Sequence, residues 1–129
     1  MTNVNKMDKN KKFDIYERTF NFAVKTNQFL REIDKHDLIA KEYVKQLIRS
    51  SGSIGANLEE ADGTLTKKDF INRVGISRRE ASESRYWLKL LKETLTIRDK
   101  KKLDWLIQEC TEIILILSTI IKKTKLNTK

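Results

Sequence analysis

Apolar residues step along this chain by alternating threes and fours in four segments, the spacing of a helix with one buried stripe. The first stripe is Phe13, Tyr16, Phe20, Ala23, Asn27, Leu30 and Ile33, and the second is Ala40, Val44, Leu47, Ser51, Ile54, Leu58 and Ala61. The third holds its phase through Phe70, Val74, Ser77, Ala81, Ser84, Leu88, Leu91 and Leu95, and the fourth runs Leu103, Leu106, Cys110, Ile113, Leu117 and Ile120. No segment sustains the two-residue alternation of a half-buried strand. The pattern predicts an all-α chain with helices over about 13–34, 38–62, 67–95 and 98–123. The short connections make consecutive helices antiparallel, giving an up-down-up-down four-helix bundle.

The residues between the stripes agree. Asp34 to Asp37 separates the first two helices and supplies carboxylates for a helix N-terminus. Gly63 is placed to follow the second helix, Thr66 with Asp69 has capping-box spacing, and Thr96 with Asp99 repeats it before the fourth. Ser50 to Ala56 has poor helix propensity and contains Gly52 and Gly55. The second stripe nevertheless stays in phase across it, so a continuous helix is expected, with small residues drawing it close to Ser77, Ala81 and Ser84.

A length of 129 residues suits one domain, and the absence of proline with only four glycines suits long helices. Residues 1–12 read as a basic flexible N-terminal tail without the apolar run of a signal peptide, 13–122 as the bundle, and 123–129 as a basic C-terminal tail. The longest apolar run, Ile113 to Ile121, is broken by Ser118 and Thr119 and falls far short of the roughly 20 residues that span a membrane. The single cysteine, Cys110, excludes an internal disulfide and fits a reducing compartment, so a soluble cytoplasmic protein is expected. The net charge of +9 is concentrated at the ends: residues 1–12 carry +3 and residues 122–129 carry +4, leaving +2 for everything between.

Two rows of cations are the candidates for phosphate contacts: Lys41, Lys45 and Arg49 on the second helix, and Arg78, Arg85 and Lys89, continued by Lys92, on the third. Tyr86 and Trp87 are available to stack on bases or to pack against a neighbouring subunit. Glu59, Glu60, Glu80 and Glu83 raise the question of a carboxylate-bridged metal pair, which needs Glu-x-x-His partners. The one histidine, His36, lies in a loop, so neither metal nor cofactor is expected. Asn57, Glu60, Glu80 and Glu83 are read instead as partners for Arg49, Arg78 or Arg85. The Ser/Gly stretch matches neither a phosphate loop nor, at Ser53, a nucleophile elbow, which speaks against an enzyme or a small-molecule substrate. Phe22, Phe29, Ile71, Ile76, Tyr86, Trp87, Trp105, Ile114, Ile116 and Ile121 lie off the stripes, an apolar surplus that predicts a homo-oligomer.

At Ser53-Ile54-Gly55-Ala56-Asn57-Leu58-Glu59-Glu60-Ala61, Phe70-Ile71-Asn72 and Glu80-Ala81-Ser82-Glu83-Ser84-Arg85-Tyr86-Trp87-Leu88, the chain resembles a known family. It is similar to the bacterial four-helix bundle proteins encoded by intervening sequences in 23S ribosomal RNA genes, which are themselves similar to the accessory variability determinant proteins of diversity-generating retroelements. The resemblance covers residues 13–122 and marks Ser53, Asn57, Glu60, Glu80, Glu83 and Trp87. It implies a barrel-like homopentamer without enzymatic activity. For the retroelement branch it implies binding of nucleic acid and of a reverse transcriptase through a basic surface. A helical body carrying only +2 departs from a strongly electropositive barrel unless the lysine-rich ends line it. The expectation is therefore a non-enzymatic, oligomeric protein associated with RNA or DNA, RNA foremost. The alternative is a protein-interaction scaffold, such as a reverse-transcriptase accessory subunit, that does not itself touch nucleic acid.

Overall fold

A computed structural model describes the backbone of residues 3–127 and the side chains of residues 15–127. Four helices follow one another: α1 (Asn3–Arg31), α2 (Leu38–Asp62), α3 (Lys67–Thr94) and α4 (Lys100–Leu126). Each packs on its sequence neighbour and α4 closes the ring on α1, the α2–α3 and α3–α4 seams being the most extensive. The expected four-helix bundle is thus present, and no strand occurs among the described residues. α1 starts at Asn3, ten residues ahead of the expected position, and so runs through most of the stretch read as a tail. The side chains there lie outside the described residues, as does that of Phe13.

Three helices start on a side chain that accepts free backbone N–H groups, which is what fixes their first turns. Asp37 accepts from Ile39 at 2.8 Å and Ala40 at 3.3 Å, Thr66 from Asp69 at 3.1 Å, and Asp99 from Lys102 at 3.0 Å. The cap of α4 is therefore Asp99, and Thr96 stands exposed in the preceding loop. Gly63 does cap α2, but with φ −92° and its N–H on the Glu60 carbonyl at 3.2 Å. No described residue takes a positive φ, so the left-handed freedom of glycine is not what this position uses.

α2, α3 and α4 bury the predicted stripes, with Phe70, Leu95 and Ile120 only partly covered at the ends. α1 is turned relative to expectation. Its core side is Ile15, Thr19, Phe22, Thr26, Phe29 and Leu30, while Asn27 is exposed and Phe20 is 72% exposed. Thr19 and Thr26 hide this stripe from a reading by hydrophobicity. The Thr19 hydroxyl is satisfied within its own helix, donating to the Tyr16 carbonyl at 3.1 Å, so it enters the core at little cost. Phe22 and Phe29, two of the presumed surplus residues, are core residues, and each contributes about 1.5–3 kcal/mol through burial.

Ser50 to Ala56 is continuous helix, as its phase predicts. The small residues serve both neighbours of α2. Towards α3, the buried Ser77 hydroxyl donates to the Ile54 carbonyl at 2.7 Å and Ser84 donates to Ser50 at 2.8 Å. Towards α1, Gly55 faces Thr19, whose Oγ1 would lie in ordinary van der Waals contact, 3.4 Å away, with a methyl group placed there.

Candidate nucleic-acid interface

Four of the interhelical arginines divide into two kinds. Arg18 and Arg49 are neutralised by carboxylates. Arg18, on α1, donates to both oxygens of Glu109 at 2.9 and 2.7 Å and to Glu112 at 2.9 Å, all on α4. Arg49, on α2, donates to Glu80 at 3.1 Å and to Glu83, both on α3. Burial raises the Glu83 pKa, but the bonds from Arg49 and from the Trp87 indole outweigh it and hold the carboxyl below the usual range.

This α2–α3 seam absorbs the motif residues. Ser53 donates to the Arg49 carbonyl at 2.8 Å, Asn57 donates to the Ser53 carbonyl at 2.8 Å, and Arg73 bonds Asn57 Oδ1 at 3.2 Å with Glu60 at 4.0 Å. Trp87 lies beside Tyr43 and edge-on to Tyr86, with ring centroids 5.8 and 5.6 Å apart. Of the three arginines expected to meet these acids, only Arg49 does; Arg78 and Arg85 face α4. Arg73, which the sequence reading did not single out, takes part instead.

Arg78 and Arg85 are of the second kind, oriented by hydroxyl groups that leave their charge intact. Arg78 Nε donates to Ser118 Oγ at 2.6 Å, and Arg85 Nη1 donates to Thr111 Oγ1 at 3.3 Å. Each hydroxyl in turn donates to a carbonyl of its own helix, Ser118 to Ile114 at 2.8 Å and Thr111 to Ile107 at 3.0 Å. The pairs 78/118 and 85/111 are seven residues apart on both helices, in opposite directions, and a third pair, Lys92 with Asp104 at 2.6 Å, continues the series. Seven residues of helix rise about 10.5 Å. The α3–α4 seam is therefore edged by cross-helix pairs at that interval, two that leave the arginine charge unmatched and one, Lys92 with Asp104, that is an ion pair.

The six candidate phosphate contacts do not share one surface. Arg78 and Arg85 lie on the α4-facing flank of α3, and Lys89 follows Arg85 by one turn and is exposed. They are joined there by Lys122 and Lys125 of α4, which with Arg78, Ser118 and Ile121 line a cleft of about 320 Å³. Lys41 and Lys45 are exposed on α2, away from this seam, and the charge of Arg49 is already matched. By sequence Lys122 and Lys125 count only as part of a basic end. The signal that finds them is the matching seven-residue spacing of Arg78/Arg85 and Thr111/Ser118.

Other reactive groups are quiet. Cys110 is buried and donates to the Ala81 carbonyl at 2.9 Å, and burial pushes its thiol up to about 12 against the lowering influence of Arg85, so it is protonated at neutral pH. His36 is exposed in its loop against Asp34. Among the described residues, no three metal-ligating side chains converge and no helix is long and apolar enough to cross a membrane.

These features define an antiparallel four-helix bundle with two carboxylate-locked seams and a third edged by two arginines that meet no carboxylate among the described residues. The chain belongs to the 23S rRNA-intervening sequence protein family, whose sequence profile matches residues 11–119. It is similar to a protein of unknown function from the S23 ribosomal protein family of Bacteroides thetaiotaomicron VPI-5482, known from a crystal structure at 1.70 Å resolution. The two are 34% identical with a TM-score of 0.73, over 84% of this chain and 98% of that one. No curated protein matches this chain.

Proposed function

We propose that this protein is a non-enzymatic, oligomeric RNA-associated protein that holds the phosphate backbone along its α3–α4 face. The observation that carries the reading is the pairing of Arg78 and Arg85 with hydroxyls where Arg18 and Arg49 are paired with carboxylates. A hydroxyl orients a guanidinium without cancelling its charge, which is what a phosphate contact requires. Lys89, Lys122 and Lys125 add to the same face, while Glu80 and Glu83 are held by Arg49, and Glu109 and Glu112 by Arg18. Charge is thus unevenly spread: two seams match Arg18 and Arg49 with acids, while along the third Arg78 and Arg85 are left unmatched among the described residues and only Lys92 meets an acid, Asp104. Family membership agrees with an RNA-linked setting without naming the ligand.

The test is fluorescence anisotropy of a structured RNA titrated with the full chain at several salt concentrations. Counterion release predicts that log K falls linearly with log salt. A triple variant, Arg85→Gln, Lys89→Gln, Lys122→Gln, flattens that slope by about three. The pair Lys41→Gln, Lys45→Gln changes it little. Absence of RNA binding at about 50 mM salt removes the proposal.

A second reading, association with another polypeptide, is favoured by the α1–α2 face. There Phe20 stands exposed beside a groove of about 280 Å³ lined by Thr19, Ala23, Gly52, Gly55 and Ala56. This is the surface through which a homo-oligomer of this chain, or a protein partner, would bury apolar area. Sedimentation equilibrium of wild type and Phe20→Lys tests it: a shift to smaller species supports an oligomer built on this face, and an unchanged distribution removes it.

A further inference from the structure

The Arg78–Ser118 pair differs from its neighbours in lining a shallow, solvent-open cleft together with two lysines of α4. We infer that the cleft between Arg78, Ser118, Lys122 and Lys125 is a discrete site for a single phosphate group, with the three cations as its ligands and Ser118 as a positioning residue. The inference rests on the RNA reading for the origin of that phosphate.

Geometry is the first support. Arg78 commits Nε–H to Ser118 and, among the described residues, has no acceptor for its two terminal amino groups. A guanidinium so held presents a planar fork, and two parallel N–H bonds from such a fork match two oxygens of a phosphate. Ser118 is itself locked, accepting from Arg78 while donating to the Ile114 carbonyl. The arginine therefore loses less freedom on binding than an unrestrained side chain.

Charge is the second. The residues lining the cleft are three cations, one hydroxyl and one apolar side chain, with no carboxylate. The comparison within the molecule is a larger cleft of about 570 Å³ around Trp105, with Lys25, Lys101 and Lys102. There Asp99 is part of the lining, Lys102 is paired with Glu32 at 3.0 Å, and Lys25 lies 5.6 Å over the Trp105 ring. That site is largely compensated; the Arg78 site is not. At about 320 Å³ it also exceeds one phosphate, leaving room for the attached sugar.

Placement is the third. Lys67 Nζ donates to the Asn127 carbonyl at 2.7 Å, tying the start of α3 to the end of α4. The turn of α4 bearing Lys122 and Lys125 is thereby held against the helix that carries Arg78.

The experiment follows the Arg78 Nε–H and the Lys122 and Lys125 Nζ signals by NMR in the full chain. The additions are inorganic phosphate, a single-stranded RNA decamer with a 5′-phosphate, and the same RNA with a 5′-hydroxyl. All three signals are expected to move and saturate together. Arg78→Lys, which keeps the charge and loses the fork, weakens binding about tenfold. Ser118→Ala weakens it about fivefold and Ser118→Thr restores it, with helix content unchanged by circular dichroism. A preference for the phosphorylated end assigns the site to a terminal phosphate, and equal affinity assigns it to the backbone. If RNA binds with the expected salt slope while the Arg78 signal stays still or Ser118→Ala binds as wild type, the phosphate site is wrong and the RNA reading stands. If phosphate moves all three signals and RNA does not bind, the site stands and the RNA reading falls.

Discussion

Arg18 and Glu109 face each other across the α1–α4 seam in a two-bond fork, Nε to Oε2 at 2.9 Å and Nη2 to Oε1 at 2.7 Å. The Glu109 side chain is only 11% exposed, whereas Glu112, the other acid on the same arginine, is 45% exposed. Replacing the sheltered acid leaves a guanidinium desolvated with one partner fewer. Glu109→Ala is expected to cost about 2 kcal/mol in urea unfolding. Glu112→Ala, in the more exposed position, is expected to shift the midpoint less than Glu109→Ala does. Equal losses from the two variants would show that the difference in burial does not govern the strength of the pair.

The glycines of α2 separate helix propensity from packing. A methyl group at Gly52 meets nothing within 4 Å, so Gly52→Ala gains the full propensity difference of about 1 kcal/mol. At Gly55 the same methyl group lies 3.4 Å from Thr19 Oγ1, an ordinary van der Waals contact, so Gly55→Ala gains the propensity difference and adds a contact with α1. Thermal unfolding should place both variants above wild type, with Gly55→Ala at least as high as Gly52→Ala. A Gly55→Ala midpoint below wild type would mean that α1 packs too closely for a methyl group.

Acid should weaken the α2–α3 seam through Glu83. Burial raises its pKa, yet the Arg49 and Trp87 bonds prevail, so the folded protein holds this carboxyl below the ordinary value of 4.5. The folded state then binds this proton less tightly than the unfolded chain does. The stabilisation is present above about pH 4.5 and disappears as pH falls through the lower folded value. Urea midpoints between about pH 3 and 6 are expected to fall more steeply for wild type than for Glu83→Gln, which has no carboxyl to titrate.

Tyr16 responds at the other end of the scale. Burial and the nearby Asp62 carboxylate, which accepts the phenol at 3.3 Å, push Tyr16 up to about 12. With the neutral phenol favoured in the folded state, its contribution is complete below the ordinary value of 10.0 and is lost as pH rises through about 12. The tyrosinate absorbance missing from Tyr16→Phe should therefore develop near pH 12. Its appearance near pH 10 would show that the phenol is not held against α2.

Much of the bundle was legible from periodicity because α2, α3 and α4 carry apolar residues, or small ones in phase with them, at nearly every buried position. α1 was misread for a specific reason: Thr19 and Thr26 occupy core positions and Phe20 stands in solvent, so the apparent stripe is rotated from the true one. Hydrophobicity does not register a buried threonine, whether its hydroxyl is satisfied by its own helix, as at Thr19, or has no partner among the described residues, as at Thr26. The candidate site was half legible. Arg78, Arg85 and Lys89 were found as a row of cations, but a row says nothing about which charges are already matched. Arg49 looked equivalent to them and is bound by two carboxylates from α3, a fact that depends on interhelical register. Lys122 and Lys125 read in the sequence only as part of a basic end, because it is the antiparallel packing of α4 that brings them beside the middle of α3.

The pairing of 78 with 118, 85 with 111 and 92 with 104 makes the α3–α4 seam a ruler with divisions of seven residues. Neither helix can change length alone within that interval. One residue inserted between Arg78 and Arg85 would swing Arg85 and Lys92 about 100° around α3, away from Thr111 and Asp104. A whole heptad added at facing points of both helices would preserve every pair and lengthen the seam by about 10.5 Å. Length variation that this seam can accommodate is therefore restricted to matched heptads or to segments outside the paired interval.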